Sequence, residues 1–537
     1  MAIRHVSLLA IAVLAGGLSE ACAAPAGSEK PVRIVNPYAQ VDWSRTEFIH
    51  SFTHQHSRDP QVQWDMGFRH LPVSNYYPSR PVYPLSESFL KRNPEALGSP
   101  NAEHHSMTDS SYHFCTPGSY YTVGYGQTPK FTADASPIEH VFKDLNLFDA
   151  AKSPWQGVYR LDLRMAAKAG KEAAVIVTVE GARQVSHKTF AIVGDGLVQG
   201  QRLTAKSPEA MYLRTESAKV RVRLDFDPAT TQITRFRLMQ GTNRPWRDAF
   251  RAALDGTLKD AAGRPTEGLR FADGGGITIN HPGGSVERLL EVLDFDPRVL
   301  GIEVWNQHEG FGGPKSNFYQ LWDDALRAGR RCYGFFVKDH VWNGCGRNVL
   351  LLSGATSVSR EDREHDALRA YREGRFFGLL GALAVDGAGK LTAPYDKTDF
   401  RFTRIVVQDN AAGEPTGVEV WVDGADRHRR PNTQIRFVTD AGVASVTNGQ
   451  RGFFEFPRDA TGRIACQYVR VEAFAYPNTH QAGEPLTAQA VAAMSVHELS
   501  RIHDRLGLIS TAKLDPPGQS PIPIVDMIFS QPILVRQ

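Results

Sequence analysis

Apolar and polar positions alternate with period two over residues 158–165, 219–226 and 233–238. That period marks half-buried antiparallel strands. Residues 174–179 are almost wholly apolar and add a more deeply buried strand, so the block 156–240 reads as a small β insertion. Ahead of it, residues 31–150 are rich in His, Tyr, Pro and Ser, the texture of loops between short strands. Behind it the period changes. Pro245 opens a predicted helix with Trp246, Phe250, Leu254 and Leu258 at helical spacing. Short apolar strands at 277–280 and 301–305 alternate with helical patterns at 285–293 and 317–328. Such alternation predicts a parallel α/β sheet or barrel, whose functional residues sit at the C-terminal ends of strands.

From about residue 400 the β pattern returns, at 400–407, 418–422, 435–438, 453–456 and 468–474. Turn residues separate these runs, which predicts a sandwich. One helix is expected over 488–506, and 524–529 reads as a closing strand.

A chain of 537 residues is long enough for two or three domains. Its 42% hydrophobic and 22% charged content is that of an ordinary globular protein. With 61 basic against 58 acidic residues the net charge is +3, which excludes a general attraction to nucleic acid or anionic membrane. A phosphorylated ligand would have to be held by a local site.

Arg4 and His5 precede an apolar run at 6–18, and Ala21-Cys22-Ala23-Ala24 follows. These are the parts of a secretory signal peptide, so residues 1–24 are expected to be removed and the mature chain to be periplasmic or secreted. The run is short for a membrane span, and no later stretch is long and apolar enough to be one. Glu20 stands where a lipoprotein signal wants a small residue, which argues against lipid on Cys22. Cys115, Cys332, Cys345 and Cys466 remain; Cys332 with Cys345 is the nearest pair, and disulfides and free thiols are both open.

Four segments concentrate residues able to bind metal. His54 and His56 form an H-x-H, whose imidazoles would leave one face of a strand together. Glu103, His104, His105 and His113 lie close in sequence. His281 ends one apolar strand, and Asp339 with His340 ends another. A single histidine at a strand end is commonly just a hydrogen-bonded structural residue. Three such clusters ending apolar strands of an α/β region are a stronger signal. Imidazole with carboxylate suits zinc, manganese or iron.

The order and wording of these segments resemble the polymerase and histidinol phosphatase (PHP) metallohydrolase family over residues 48–380. The resemblance is carried by His54-Gln-His56, Glu103 to His113, Ile279-Asn-His-Pro282 and Gly301-Ile-Glu-Val-Trp-Asn306. It continues through Leu321-Trp-Asp-Asp-Ala-Leu-Arg-Ala-Gly329, Lys338-Asp-His340 and Gly374-Arg-Phe-Phe-Gly378. It implies a distorted (β/α)7 barrel over 25–395, carrying the β insertion, and it is similar to the exported branch with a C-terminal β domain, here 396–537. It also implies two or three divalent ions held by His54, His56, Glu103, His113, His281, Asp339 and His340, with Glu103 bridging.

Two departures bear on the site. Val73-Ser-Asn-Tyr-Tyr77 replaces the family's T-D-H, which suggests two ions rather than three. Asp339 and His340 are adjacent rather than spaced D-x-H, and on a continuing strand they would face opposite ways. The expected function is hydrolysis of a small-molecule phosphoester by metal-activated hydroxide. The alternatives are a carboxylester or carbamate hydrolase of the same fold, and a non-catalytic carbohydrate- or surface-binding protein with a decayed barrel. No general acid is named by the pattern; His105 and His308 lie near motif residues.

Overall fold

The computed structural model describes residues 32–57, 59–74, 82–104, 112–121, 127–145, 147–148, 157–168, 170–188, 191–205, 211–240, 245–257, 265, 267–306, 317–340, 346–354, 358–381, 384–385, 391–393, 399–424, 430–480, 483–511 and 518–536. The expected signal peptide, Cys345, His105 and His308 lie outside the described residues.

The insertion is built as its alternation requires. In the strand Val220–Asp225, Val220, Val222 and Leu224 are buried while Arg221 and Arg223 face solvent. Its four-stranded sheet runs Gln201–Thr204, Ala174–Glu180, Val220–Asp225, Ile138–Phe142. A five-stranded sheet containing Val158–Ala167 and Thr231–Gln240 shares its core, where Phe142, Val177, Leu161 and Phe236 meet. Ile138–Phe142 pairs with Val220–Asp225, so the unit begins before residue 156.

A second five-stranded sheet orders Tyr333–Val337, Val299–Asn306, Ile277–Asn280, His113–Cys115 and Glu103–His104. Its first three strands are parallel, linked by the helices Val286–Leu293 and Tyr319–Arg327. Each helix buries one apolar face, Leu289, Val292 and Leu293 on the first and Trp322, Ala325 and Leu326 on the second. The last two strands are antiparallel. The helix Trp246–Asp255 starts behind Pro245 and buries Trp246, Phe250 and Leu254, with Phe250 against Phe114 at 4.8 Å between ring centres.

This architecture corrects the expected (β/α)7 barrel. Strand residues far outnumber helical ones, the strands form several separate sheets, and no sheet closes into a barrel among the described residues. Two consecutive βαβ steps read locally like a section of a barrel. Closure depends on partners far away in sequence, and here those partners are antiparallel.

The largest sheet has nine strands. Its path runs Arg33–Val35, Ile533–Arg536, Tyr468–Tyr476, Asp526–Ser530, Phe376–Leu380, Gly346–Ser353, Thr46–Ser51, with Asn432–Thr439 and Gly442–Asn448 added beside Tyr468–Tyr476. Strands from both sides of residue 396 therefore share one ladder, in which Phe377 pairs with Ser530 and Leu380 with Met527. A three-stranded sheet, Arg401–Asp409, Pro415–Asp423 and Arg451–Glu455, packs on it through Phe437 against Phe454 and Phe377 against Phe402. The helix expected over 488–506 is two short ones, Ala488–Ala493 and Val496–Ser500. Ser495 caps the second through a reciprocal bond with Glu498, so a new helix starts where the periodicity suggested continuation. No described helix is long and apolar enough to cross a membrane.

A buried ion network ties the helix Tyr319–Arg327 to the large sheet. Arg470 bonds both oxygens of Asp323 at 2.8 and 2.9 Å and Glu472 at 2.5 Å, and lies over the Trp322 ring. Removing the guanidinium strands two acids with little access to water. Arg470→Ala is expected to cost about 3–5 kcal/mol, read as a lowered denaturant midpoint. Arg251→Ala, at an exposed pair with Asp248, should change stability by less than about 1 kcal/mol.

Candidate metal centre

The strand Thr46–Ser51 ends just before the H-x-H, and the backbone of 54–56 then pairs with Asp339. Asp339 N–H donates to the His54 carbonyl, and His56 N–H donates to the Asp339 carbonyl, both at 3.2 Å. Two motifs nearly three hundred residues apart are thereby set side by side. Asn101 secures the same region: its amide donates to the carbonyls of Thr53 and Pro72 at 2.7 Å, and its oxygen accepts from Thr116 N–H. Ser74, in the segment that replaces T-D-H, supplies backbone links to Gln55 and Glu103 instead of a ligand.

The side chains converge. His54 Nε2 lies 3.1 Å from His56 Nε2, 3.2 Å from Glu103 Oε2 and 3.2 Å from Asp339 Oδ1. His56 Nε2 lies 3.0 Å from the same Glu103 oxygen and 3.5 Å from the same Asp339 oxygen. Metal bonds of about 2.0–2.2 Å at tetrahedral angles would separate ligand atoms by about 3.3–3.6 Å. Five edges of the four-atom set are close to that. All four residues are buried, and Asp339 Oδ1 is a buried oxygen without a hydrogen bond.

The other oxygen of Glu103 faces a second set. His113 Nδ1 and His281 Nε2 each lie 3.4 Å from Glu103 Oε1. The sheet explains this, because His113 pairs with Asn280, the residue before His281, and Glu103 pairs with Cys115. Asn280 Nδ2 donates to the same Glu103 oxygen at 3.1 Å. The His113 and His281 side chains are 33% and 18% exposed, so the centre is reached by solvent from this side.

His340 sits at the edge. The strand Tyr333–Val337 has ended, and Asp339 takes φ 52°, so the chain turns and the two adjacent residues need not face apart. His340 stacks on His56 with ring centres 4.3 Å apart, and its Nε2 is 3.4 Å from Asp339 Oδ1. It belongs to neither converging set.

Three carboxylates, those of Glu103, Asp339 and Glu303, stand in this almost dry volume. Burial alone would lower the His54 pKa, but Asp339, Glu103 and Glu303 outweigh it and hold that imidazole well above its usual range. Burial would raise Asp339; the neighbouring His54 reverses that and pulls it down. His281 is raised against its burial by Glu103 and Glu303, whereas burial lowers His56. Burial brings His340 down to about 3. The cluster thus gathers three acids around His54. These buried His, Glu and Asp groups could hold a metal ion.

Sequence reasoning passed over three side chains that organise the centre. Glu303 accepts from His54 Nδ1 at 2.7 Å, Asn306 donates to Glu303 at 2.8 Å, and Asn280 donates to Glu103. Glu303 and Asn306 lie in the Gly301–Asn306 motif and Asn280 in the Ile279–Pro282 motif, which located all three without marking what they contact. Of the remaining candidates, His104 is buried between Phe114 and Tyr121, stacked on both, and lies outside both sets. Cys115, Cys332 and Cys466 are free and buried. No family model matches the chain, and no curated protein matches it.

Proposed function

We propose that this protein is an exported, metal-dependent hydrolase of small-molecule phosphoesters. The observation that carries the proposal is the convergence of His54, His56, Glu103 and Asp339, with His113 and His281 on the second oxygen of Glu103. The order of these motifs along the chain, similar to that of PHP metallohydrolases, supports phosphoesters as the substrate class.

In this reading His54, His56 and Asp339 would hold one ion and His113 and His281 a second, with Glu103 available to both. Zinc, manganese or iron would suit these donors. Such ions supply Lewis acidity and make water more acidic, which ester hydrolysis at neutral pH needs. The chain's own part is to exclude bulk water behind the buried set and to leave the His113 and His281 side open to substrate.

Metal analysis of protein folded in the periplasm tests the proposal, followed by a panel of aryl phosphates, carboxyl esters and carbamates. About two equivalents of metal are expected, with aryl phosphate hydrolysis lost on chelation and restored by readdition. Metal at about 100 times its Kd should add about 2.7 kcal/mol to stability and raise Tm. Protein that takes up no metal would sink the proposal. Turnover confined to carboxyl esters or carbamates would replace the substrate class and keep the centre.

A further inference from the structure

We infer that Glu303 is a positioning residue through which one carboxylate organises both converging sets of ligands. The inference rests on the metal reading above and adds to it that the two sets are not independent.

Glu303 is fully buried, between Ile302 and Val304 in the strand Val299–Asn306. Its Oε1 lies 2.7 Å from His54 Nδ1. With Nδ1 turned to the carboxylate, the bond is made when Nδ1 carries the hydrogen. Nε2 of His54 is then the nitrogen left to face His56, Glu103 and Asp339. A histidine ligand whose second nitrogen donates to a carboxylate is fixed in both tautomer and ring orientation.

The other oxygen works on the second set. Glu303 Oε2 accepts the backbone N–H of His281 at 2.5 Å and the side-chain amide of Asn306 at 2.8 Å. His281 has φ 27°, a left-handed conformation that a β-carbon disfavours. The bond to Glu303 holds that turn, and the turn aims His281 Nε2 at Glu103. The same Asn306 amide lies 3.4 Å from Asp339 Oδ2. One carboxylate thus reaches His54 and His281 directly, and Asp339 through Asn306. Glu303 itself belongs to neither set, its oxygens being occupied by three donors.

Glu303→Gln keeps the shape and removes one acceptor. Its amide nitrogen must then face a donor, either His54 Nδ1–H or the His281 N–H with Asn306. Either donor pushes the shared side chain out of place for both sets, so Zn²⁺ titration against a chromophoric chelator is expected to show both binding steps weakened about 10- to 100-fold. Far-UV circular dichroism should stay as in the wild type. Glu364→Gln is the control: that buried carboxylate accepts Gly98 N–H and pairs with Arg270 away from the centre, so Zn²⁺ affinity should not change.

The outcomes separate cleanly. A wild type that binds no Zn²⁺ removes the metal reading itself. A wild type that binds, with Glu303→Gln binding equally well, overturns the role of Glu303 alone. Weakening of one step only overturns the coupling of the two sets. Equal weakening by Glu364→Gln would show that loss of any buried carboxylate suffices, which also overturns it. Should Glu303→Gln misfold, ¹⁵N spectra of the Zn²⁺-loaded wild type decide. A protonated Nδ1 on His54, with metal at Nε2, supports the assignment, and metal at Nδ1 refutes it.

Discussion

On the proposed function, replacing His54 by alanine is expected to abolish hydrolysis and metal uptake. Four of its contacts are at stake at once. Nε2 lies within 3.2 Å of atoms from His56, Glu103 and Asp339, and Nδ1 is bonded to Glu303. Loss of an ion that supplies several kcal/mol of transition-state stabilisation corresponds to a fall of about 10³-fold or more in kcat/KM. Glu103→Ala should do the same, and should affect both converging sets because each of its oxygens faces a different one. His365→Ala is the comparison. That histidine lies on the helix Arg360–Glu373, stacked on Phe271 and paired with Asp273 at 2.6 Å. Its loss should leave metal content and turnover as they were. Metal analysis beside steady-state kinetics of the three variants checks this, and a His54→Ala protein retaining full metal and turnover would refute the site.

The residues that converge were legible because each carries a local mark. His54 and His56 are spaced to share a face, His281 precedes a proline after an apolar strand, and Asp339 follows another. Glu303 lay within the Gly301–Asn306 motif, but nothing in that motif marked its role. Acid though it is, it stands within a strand every residue of which is buried, and only the fold shows that its carboxylate meets His54. Asn280 and Asn306 were hidden in the same way, as last residues of apolar strands. The choice between barrel and open sheets was not local either. Thr46–Ser51 reads the same whether it opens a barrel or pairs antiparallel with Gly346–Ser353, as it does here. The period-two strands beyond residue 400 likewise do not say with whom they pair. Phe377 pairs with Ser530 and Arg33 with Arg536, partners that no local period reveals.

A chain ending at residue 395 is therefore expected not to reach the native state. The cut removes Asp526–Ser530, the partner of Phe376–Leu380, and Tyr468–Tyr476 beyond it. Phe336 and Tyr319 lose Phe529, which stands 4.8 and 5.4 Å from them between ring centres, and Phe377 loses Phe402 at 5.3 Å. Trp322 loses the cover of Arg470. Exposing four such side chains at about 1.5–3 kcal/mol each forfeits roughly 6–12 kcal/mol. The whole stability of a typical domain is about 5–15 kcal/mol. Polar ties go with the apolar ones. Gln531 bonds the N–H and carbonyl of Gly334 at 2.8 and 3.0 Å, and its own N–H donates to Tyr38 Oη at 2.6 Å. Gly334 lies in Tyr333–Val337, the strand that leads to Asp339, so the tail braces the strand behind a candidate metal ligand. Residues 25–395 produced alone should be insoluble or lack a cooperative melt, with Zn²⁺ affinity lost. A soluble monomer of that piece, melting sharply and binding Zn²⁺ as the full chain does, would show that the shared ladder contributes little and that the metal centre stands without it.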